Sequence, residues 1–524
     1  MLKRSAGVLI NISTLPSRYG IGGFGPEVEK CVEFLLEGGF KNWQVLPLTT
    51  IGLGNSPYSG NSAFALNYLY VDPDTLYKDG YIDEAQMQEA VYNGTPYIVD
   101  YAAVYTLKDR VLRHAYENKG EEIHDKLKKY LKANSWAYDY ALYMTVKEKF
   151  QNSSWLDWPK EYKFKENLDE KAFIQANRSE FYFYVFSQYV LAEQWSKCRK
   201  LLKEKGISII GDMPMYVSLD SSDVWANRKN YQLKVDGTPK KVAGVPPDYF
   251  SENGQLWGNP LYDYKYMAEN NFEWWMQRID RMMEIYDILR IDHFRAFSEY
   301  WAVPSDAETA KEGKWCKGVG NELFDLIFKK YPKDRFIAED LGIIDDKVRR
   351  LLKKTGLPGM RVMHFGYGDL TNLHTPCNYV KNCIGYTGTH DNNTSLGWLW
   401  ELDDKTRLRV LEYIGCDKDV WGRGAYDSIS VKLMIKKLME SECQIAIVPL
   451  QDLFGFGSDC RMNTPGVATG NWQYRATQDQ FDSCRKSYYR DLNIATGRFS
   501  WRYSMGIRKT MPNLNKKQLR NITN

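Results

Sequence analysis

Eight times along the chain a short apolar run breaks off at a polar or charged residue, and that recurrence constrains the fold more than any other feature. The runs are Gly7-Val-Leu-Ile10, Trp43-Gln-Val-Leu46, Ile207-Ser-Ile-Ile210 leading into Gly211-Asp212, and Ile288-Leu-Arg-Ile291 leading into Asp292. Phe336-Ile-Ala338 leading into Glu339, Met360-Arg-Val-Met363, the weaker Gly385-Tyr-Thr-Gly388 ahead of Thr389-His390-Asp391, and Ile445-Ala-Ile-Val-Pro449 complete them. Between them lie amphipathic stretches with helical spacing, such as Asp346 to Lys354, which Thr355-Gly356 closes as a C-cap. Buried strands that alternate with helices build a parallel sheet. Eight of them predict an α/β fold, a closed (β/α)8 TIM barrel, whose reactive groups sit where the strands end.

Spacing supports this and locates the departures from it. Glu339 to His364 is 25 residues and His364 to His390 is 26, each the length of one βα unit. Leu46 to Ile210 is 164 residues, far more than one unit needs, and Asp212 to Asp292 is 80. The expected organisation is therefore a barrel that starts at 1–48 and takes a mostly helical inserted subdomain at 49–180, between strands two and three. It resumes over 181–524, with a smaller insertion at about 213–285. No internal repeat or low-complexity linker interrupts the chain.

Composition excludes several classes of function. With Lys plus Arg at 70 and Asp plus Glu at 66, the net charge is +4, which is no electrostatic footprint for nucleic acid. Apolar runs such as Ile445 to Leu450 fall far short of the ~20 residues of a membrane span. The apolar piece Ala6 to Ile10 behind Lys3 and Arg4 is too short for the core of a signal peptide. Nine cysteines without a CxxC pair suggest neither zinc nor a disulfide framework, so reduced thiols in a cytoplasmic protein are expected. The 16 Trp, 37 Tyr and 22 Phe mostly fill a core of this size, although flat amphipathic rings also suit sugar faces.

Three acids fall at strand ends. Asp292 follows Arg290 by two, so on a strand both point to one face; the pair reads equally as an oriented, ionised nucleophile or as a structural ion pair. Glu339, beside another carboxylate in a barrel mouth, should have a raised pKa and could donate a proton near neutrality; alone it could also simply cap the next helix. Asp391 with His390 either binds sugar hydroxyls or shapes a turn. Of six histidines, His293, His364 and His390 all fall at predicted strand ends, which favours a site there. A metal hydrolase is the rival use of such a cluster, but no HxH pair stands on a first strand. GxSxG and GxxxxGK[ST] are likewise missing, and Gly20-Ile-Gly-Gly-Phe-Gly25, Gly-rich but following no strand closely, reads as a loop.

Ten motifs in order then resemble the 4-α-glucanotransferases of glycoside hydrolase family 77, the amylomaltases or disproportionating enzymes, over nearly the whole chain. They are Leu15-Pro-Ser-Arg-Tyr-Gly-Ile-Gly, Gln44-Val-Leu-Pro-Leu, Asn55-Ser-Pro-Tyr58, Gly211-Asp-Met-Pro and Gly244-Val-Pro-Pro-Asp-Tyr-Phe-Ser251. Gly254-Gln-Leu-Trp-Gly-Asn-Pro260, Arg290-Ile-Asp-His-Phe-Arg295, Ala338-Glu-Asp-Leu-Gly342, Thr389-His-Asp-Asn392 and Asn463-Thr-Pro-Gly466 follow. The resemblance implies Asp292 as the nucleophile of a covalent β-glycosyl intermediate, Glu339 as general acid/base and Asp391 as the third carboxylate. It implies substrate contacts from Arg290, His390 and Asp212, and stacking from Tyr58 and Trp257. Tyr249 and Phe250 would sit in a loop over the acceptor side, and Asn463 in a loop facing the donor. Asn393 and Ser395 stand where many relatives carry another acid. Maltooligosaccharides and longer α-1,4-glucans are the implied substrates, with no metal and no other cofactor. An α-amylase-like hydrolase on the same barrel shares all three acids; a glucan-binding protein that has lost catalysis would not need them. A retaining double displacement needs its two carboxyl groups about 5–5.5 Å apart, which the ends of adjacent strands four and five can supply.

Overall fold

The computed structural model describes residues 2–247, 252–369 and 371–500. Its central element is an eight-stranded parallel sheet: β1 (Ser5–Leu9), β2 (Asn42–Gln44), β3 (Ser208–Met213), β4 (Ile288–Ile291), β5 (Phe336–Ala338), β6 (Gly359–Val362), β7 (Cys383–Tyr386) and β8 (Ile445–Pro449). Strands pair in the order β6-β7-β8-β1-β2-β3-β4-β5, so the sheet curls into a barrel. All eight expected runs are strands; three coincide with them, and the ends of the other five are shifted by one to three residues. Five-residue β1 and β8 are buried throughout, as strands covered on both faces must be.

The remaining gap lies between β5 and β6. There the Ala338 N–H donates to the Pro358 carbonyl at 2.9 Å. The buried Asp340 carboxylate accepts from the Met360 N–H at 2.6 Å and from Arg361 at 3.0 Å. One acid just beyond the three-residue β5 thus supplies the bonds that a longer strand would have made.

Residues between β2 and β3 form the helices Tyr101–Lys119, His124–Ala133, Ser135–Lys149 and the 28-residue Arg178–Lys205, which Gly206 ends in a left-handed conformation. The helical run read as Glu121 to Leu131 begins at His124 instead, because a turn precedes it. Buried Gln188 and Gln194 of the long helix bind both main-chain groups of Leu66 and Asp72 at 2.8–3.1 Å, as a neighbouring strand would. They fix the segment that follows Tyr58.

A second, antiparallel sheet was not foreseen. Its order is Gln255–Pro260, Lys241–Val245, Glu299–Pro304, Lys314–Lys317, so the β3–β4 and β4–β5 connections contribute two strands each. It stands beside the C-terminal end of β4. No helix of the described residues is long and apolar enough to cross a membrane.

Candidate active site

The strand register brings the two principal acids together. Ile291 of β4 pairs with Ala338 of β5, so Asp292 and Glu339, each one residue on, lie side by side at the barrel's C-terminal end. Neighbouring strands run ~4.8 Å apart, which is the scale a retaining pair of carboxyl groups requires.

Arg290, 4 % exposed inside the barrel, ties two strands. One guanidinium nitrogen contacts both Asp212 oxygens at 2.6 Å and Asp292 Oδ1 at 3.0 Å. Burial works against its charge, but the two carboxylates more than offset this and hold its pKa well above the usual value. Asp292 is thus oriented while its side chain keeps some exposure. Asp212, fully enclosed, has its pKa raised by burial, with Arg290 opposing.

Glu339 is held differently. Its Oε2 accepts from the His293 N–H at 2.7 Å and its Oε1 from the Leu341 N–H at 2.6 Å. It does not cap the next helix; Asp345 does, accepting from Lys347 and Val348. Burial, helped by the charge of Asp292, pushes Glu339 up to about 8, against Arg290 and the two N–H donors. Its neighbour Asp292 carries an arginine and Glu339 does not, so the environments of the two acids are set apart.

Asp391 stands beyond β7. Its Oδ1 accepts from Asn463 Nδ2 at 2.6 Å and lies 3.3 Å from His390 Nε2. The Asn463 N–H donates to the His390 carbonyl at 3.1 Å, so the loop after β8 and the loop after β7 are one unit. Tyr58 reaches in from the segment between β2 and β3: its hydroxyl donates to Asp212 at 2.9 Å and meets His390 Nε2 at 2.9 Å, while its ring stacks on the imidazole. With its proton given to Asp212, the hydroxyl can only accept from His390, which fixes the Nε2–H tautomer.

Trp257, 37 % exposed, lies edge-on to the His293 ring at 4.9 Å on the side of the antiparallel sheet. Tyr249 and Phe250 lie outside the described residues. Of the histidines at strand ends, His390 joins the acids and His293 lines the Trp257 side. His364 is instead buried, stacked on Trp398 at 4.5 Å. Among the described residues no group of three or more His, Cys, Asp or Glu side chains is arranged to hold a metal ion.

Two residues escaped the sequence reading. Trp472 packs on both Tyr58 and His390, from a left-handed backbone position (φ 67°) in irregular chain. Arg461 donates to the main-chain carbonyls of Asp391 and Asn463, both at 2.8 Å. Asn463-Thr-Pro-Gly466 was the nearest signal for either.

This geometry has close counterparts. The family model described as 4-alpha-glucanotransferase, glycoside hydrolase family 77, matches residues 10–480. The chain is 41 % identical over 480 residues to the 4-alpha-glucanotransferase of Aquifex aeolicus, covering 91 % of this chain and 96 % of the relative. It is 38 % identical to that of Clostridium butyricum, over 90 % and 96 % of the two chains. The structure of Streptococcus agalactiae amylomaltase in complex with acarbose superposes with a TM-score of 0.91 at 37 % identity, covering 95 % of this chain and all of that one.

Proposed function

Because this chain belongs to the 4-alpha-glucanotransferases of glycoside hydrolase family 77, and its reaction is therefore glucan transglycosylation, we propose which side chains carry that reaction. Asp292 attacks the anomeric carbon of a bound 1,4-α-glucan while Glu339, protonated at neutral pH, gives its proton to the departing O4. The covalent β-glycosyl-aspartate then meets the 4-hydroxyl of a second glucan or of glucose. Glu339, now a carboxylate, takes that proton, and a new α-1,4 bond forms as Asp292 departs. Two inversions retain configuration.

The observation that carries this assignment is the contrast across one register pair. Asp292 is oriented by Arg290, whereas Glu339 is buried beside it with its pKa pushed up to about 8. Asp391, with Asn463 and His390, would bind hydroxyls of the distorted sugar at the cleavage point. Asp212 and Arg290 would hold the nucleophile's frame. Tyr58 and Trp257 offer faces for stacking on the sugars, and Tyr249 and Phe250 belong to the same acceptor-side loop by their motif. Transfer outcompetes hydrolysis when aromatic walls exclude water and hold the acceptor.

On the same footing the chain divides into one barrel with an inserted helical subdomain at 49–180 and a smaller, acceptor-side insertion near 213–285. Nine free thiols favour a reducing compartment, the cytoplasm. Neither nucleic acid nor a membrane is a partner in this reading.

The test is incubation with maltotriose, with and without chelator, and chromatography of the products. A ladder of longer oligosaccharides plus glucose, indifferent to chelator, is the expected result. Loss of the ladder in Asp292→Asn and Glu339→Gln would tie it to these acids. Maltose plus glucose without a ladder would mean hydrolysis and would overturn the role of the aromatic walls.

A further inference from the structure

Just past the C-terminal end of β8 lies a buried acid that the reaction does not use. Asp452 is 2 % exposed, in the short helix Leu450–Phe454 that continues β8. Its Oδ2 accepts from Thr387 Oγ1 at 2.6 Å and from Ser395 Oγ at 2.7 Å, and its Oδ1 accepts from the Ser395 N–H at 2.7 Å. No ion pair to it exists among the described residues, so three hydrogen-bond donors alone stabilise a carboxylate that burial penalises.

All three donors come from the two ends of a single loop. Thr387 directly follows β7 and Ser395 opens the helix Ser395–Glu401; the loop between them carries His390 and Asp391. Neither Thr387 nor Ser395 has exposed surface. His364, at the end of β6, reaches the same Ser395 Oγ with Nε2 at 3.1 Å. Since that hydroxyl donates to Asp452, it can only accept from the imidazole, giving a one-way chain from His364 through Ser395 to Asp452. Gly388 leaves room for it: a Cβ there would stand 2.7 Å from His364 Cε1. Ser, His and Asp together invite comparison with a hydrolytic triad. Here, however, the carboxylate is on the serine and not on the imidazole, and none of the three is more than 8 % exposed.

We propose that Asp452 is a positioning residue for the third carboxylate: by fastening both ends of the Thr387–Ser395 loop to the end of β8, it sets where Asp391 meets the sugar. The proposal rests on the role given above to Asp391. Among the described residues the Asp391 side chain, 46 % exposed, meets only Asn463 and His390, while its main chain is held by Arg461 and Thr389. A loop fixed at both ends converts those two contacts into a defined position, which catalysis needs to within a fraction of an ångström.

The test is a double-mutant cycle read by acarbose affinity in calorimetry and by maltotriose kinetics. Asp452→Asn keeps the shape but turns one donor pair the wrong way. It should lower kcat by about 10- to 100-fold with KM changed less than about threefold, and weaken acarbose about tenfold. In the Asp391→Asn background the same substitution should weaken acarbose less than about twofold, because the residue it acts through is gone. Equal losses in both backgrounds would overturn the proposal and leave Asp452 as a general structural acid. Should Asp452→Asn fail to fold, Thr387→Val combined with Ser395→Ala removes two donors and leaves the main-chain bond; the cycle is then run with that pair. Asp391→Asn alone separates the two ideas. If it binds acarbose and turns over maltotriose as the parent does, the role of Asp391 falls. If it is impaired while the Asp452 losses are additive, only the positioning role falls.

Discussion

At the scale of single residues, the working parts are acids whose environments differ. Burial, helped by the charge of Asp292, pushes Glu339 up to about 8. The expected consequence is an alkaline limb in kcat/KM with an apparent pKa near 8, since the free enzyme loses its general acid there. A donor that needs no proton, such as an α-maltosyl fluoride, should show no such limb; a limb common to both donors would assign it to another group. Tyr58 separates two roles in one side chain. Tyr58→Phe removes the bonds to Asp212 and His390 at 2.9 Å and should slow transfer about tenfold with the product ratio kept. Tyr58→Ala should also raise the ratio of hydrolysis to transfer, measured as reducing ends released per glycosyl unit moved; an unchanged ratio would count against its ring as a water barrier. Asp292 and Glu339 were legible in the sequence because each ends an apolar run, where a barrel exposes its chemistry. Trp472 and Arg461 were not, because they sit in irregular chain after β8, where no periodicity links a residue to the partner it meets.

At the scale of elements, the strands were legible and the joints between them were not. Hydrophobic runs marked all eight strands. The closure of β5 onto β6 depends instead on a side chain, Asp340, which no strand pattern reveals. A Cβ on Gly359 would stand 2.5–2.7 Å from that carboxyl group, so glycine is required for the close approach. Asp340→Ala removes the bonds to the Met360 N–H and to Arg361; a cost of about 3 kcal/mol is expected in urea unfolding. Gly359→Ala should destabilise in the same sense by displacing the acid, and a variant as stable as the parent would mean the seam is held elsewhere. The antiparallel sheet was missed for a related reason. Its strands Lys241–Val245 and Glu299–Pro304 pair across the intervening β4, and Gln255–Pro260 and Lys314–Lys317 are partly exposed and bounded by Gly or Pro. Pairing at that separation leaves no local signature.

At the scale of the whole molecule, the helices between β2 and β3 meet the first barrel helix at a cluster of buried charge. Glu27 on the barrel helix Pro26–Glu37, Asp72, and Lys108 on the helix Tyr101–Lys119 are all buried, two acids to one amine. Burial, together with Asp72, pushes Glu27 up to about 8; burial brings Lys108 down to about 8. As pH rises from about 4.3, the unfolded chain releases its glutamate protons first and the folded chain keeps them. Stability that is fully present below that pH is therefore lost as pH approaches 8, and Glu339 adds to the loss in the same window. Lys108 has the opposite sign: the folded chain gives up that proton first, so stability recovers between about 8 and 10.4. Glu27 and Glu339 should accordingly make the melting temperature fall between pH 5 and pH 8, against His293 and His374, which burial lowers to about 4 and which add stability only up to about pH 6.5. Glu27→Gln, which keeps an acceptor for the Gly23 N–H, should make that fall shallower by about 2–4 °C in calorimetry. It should not change maltotriose turnover, because Glu27 lies on the outer helix and not at the strand ends. Parallel curves for parent and variant would mean that the proton held by Glu27 does not set this fall.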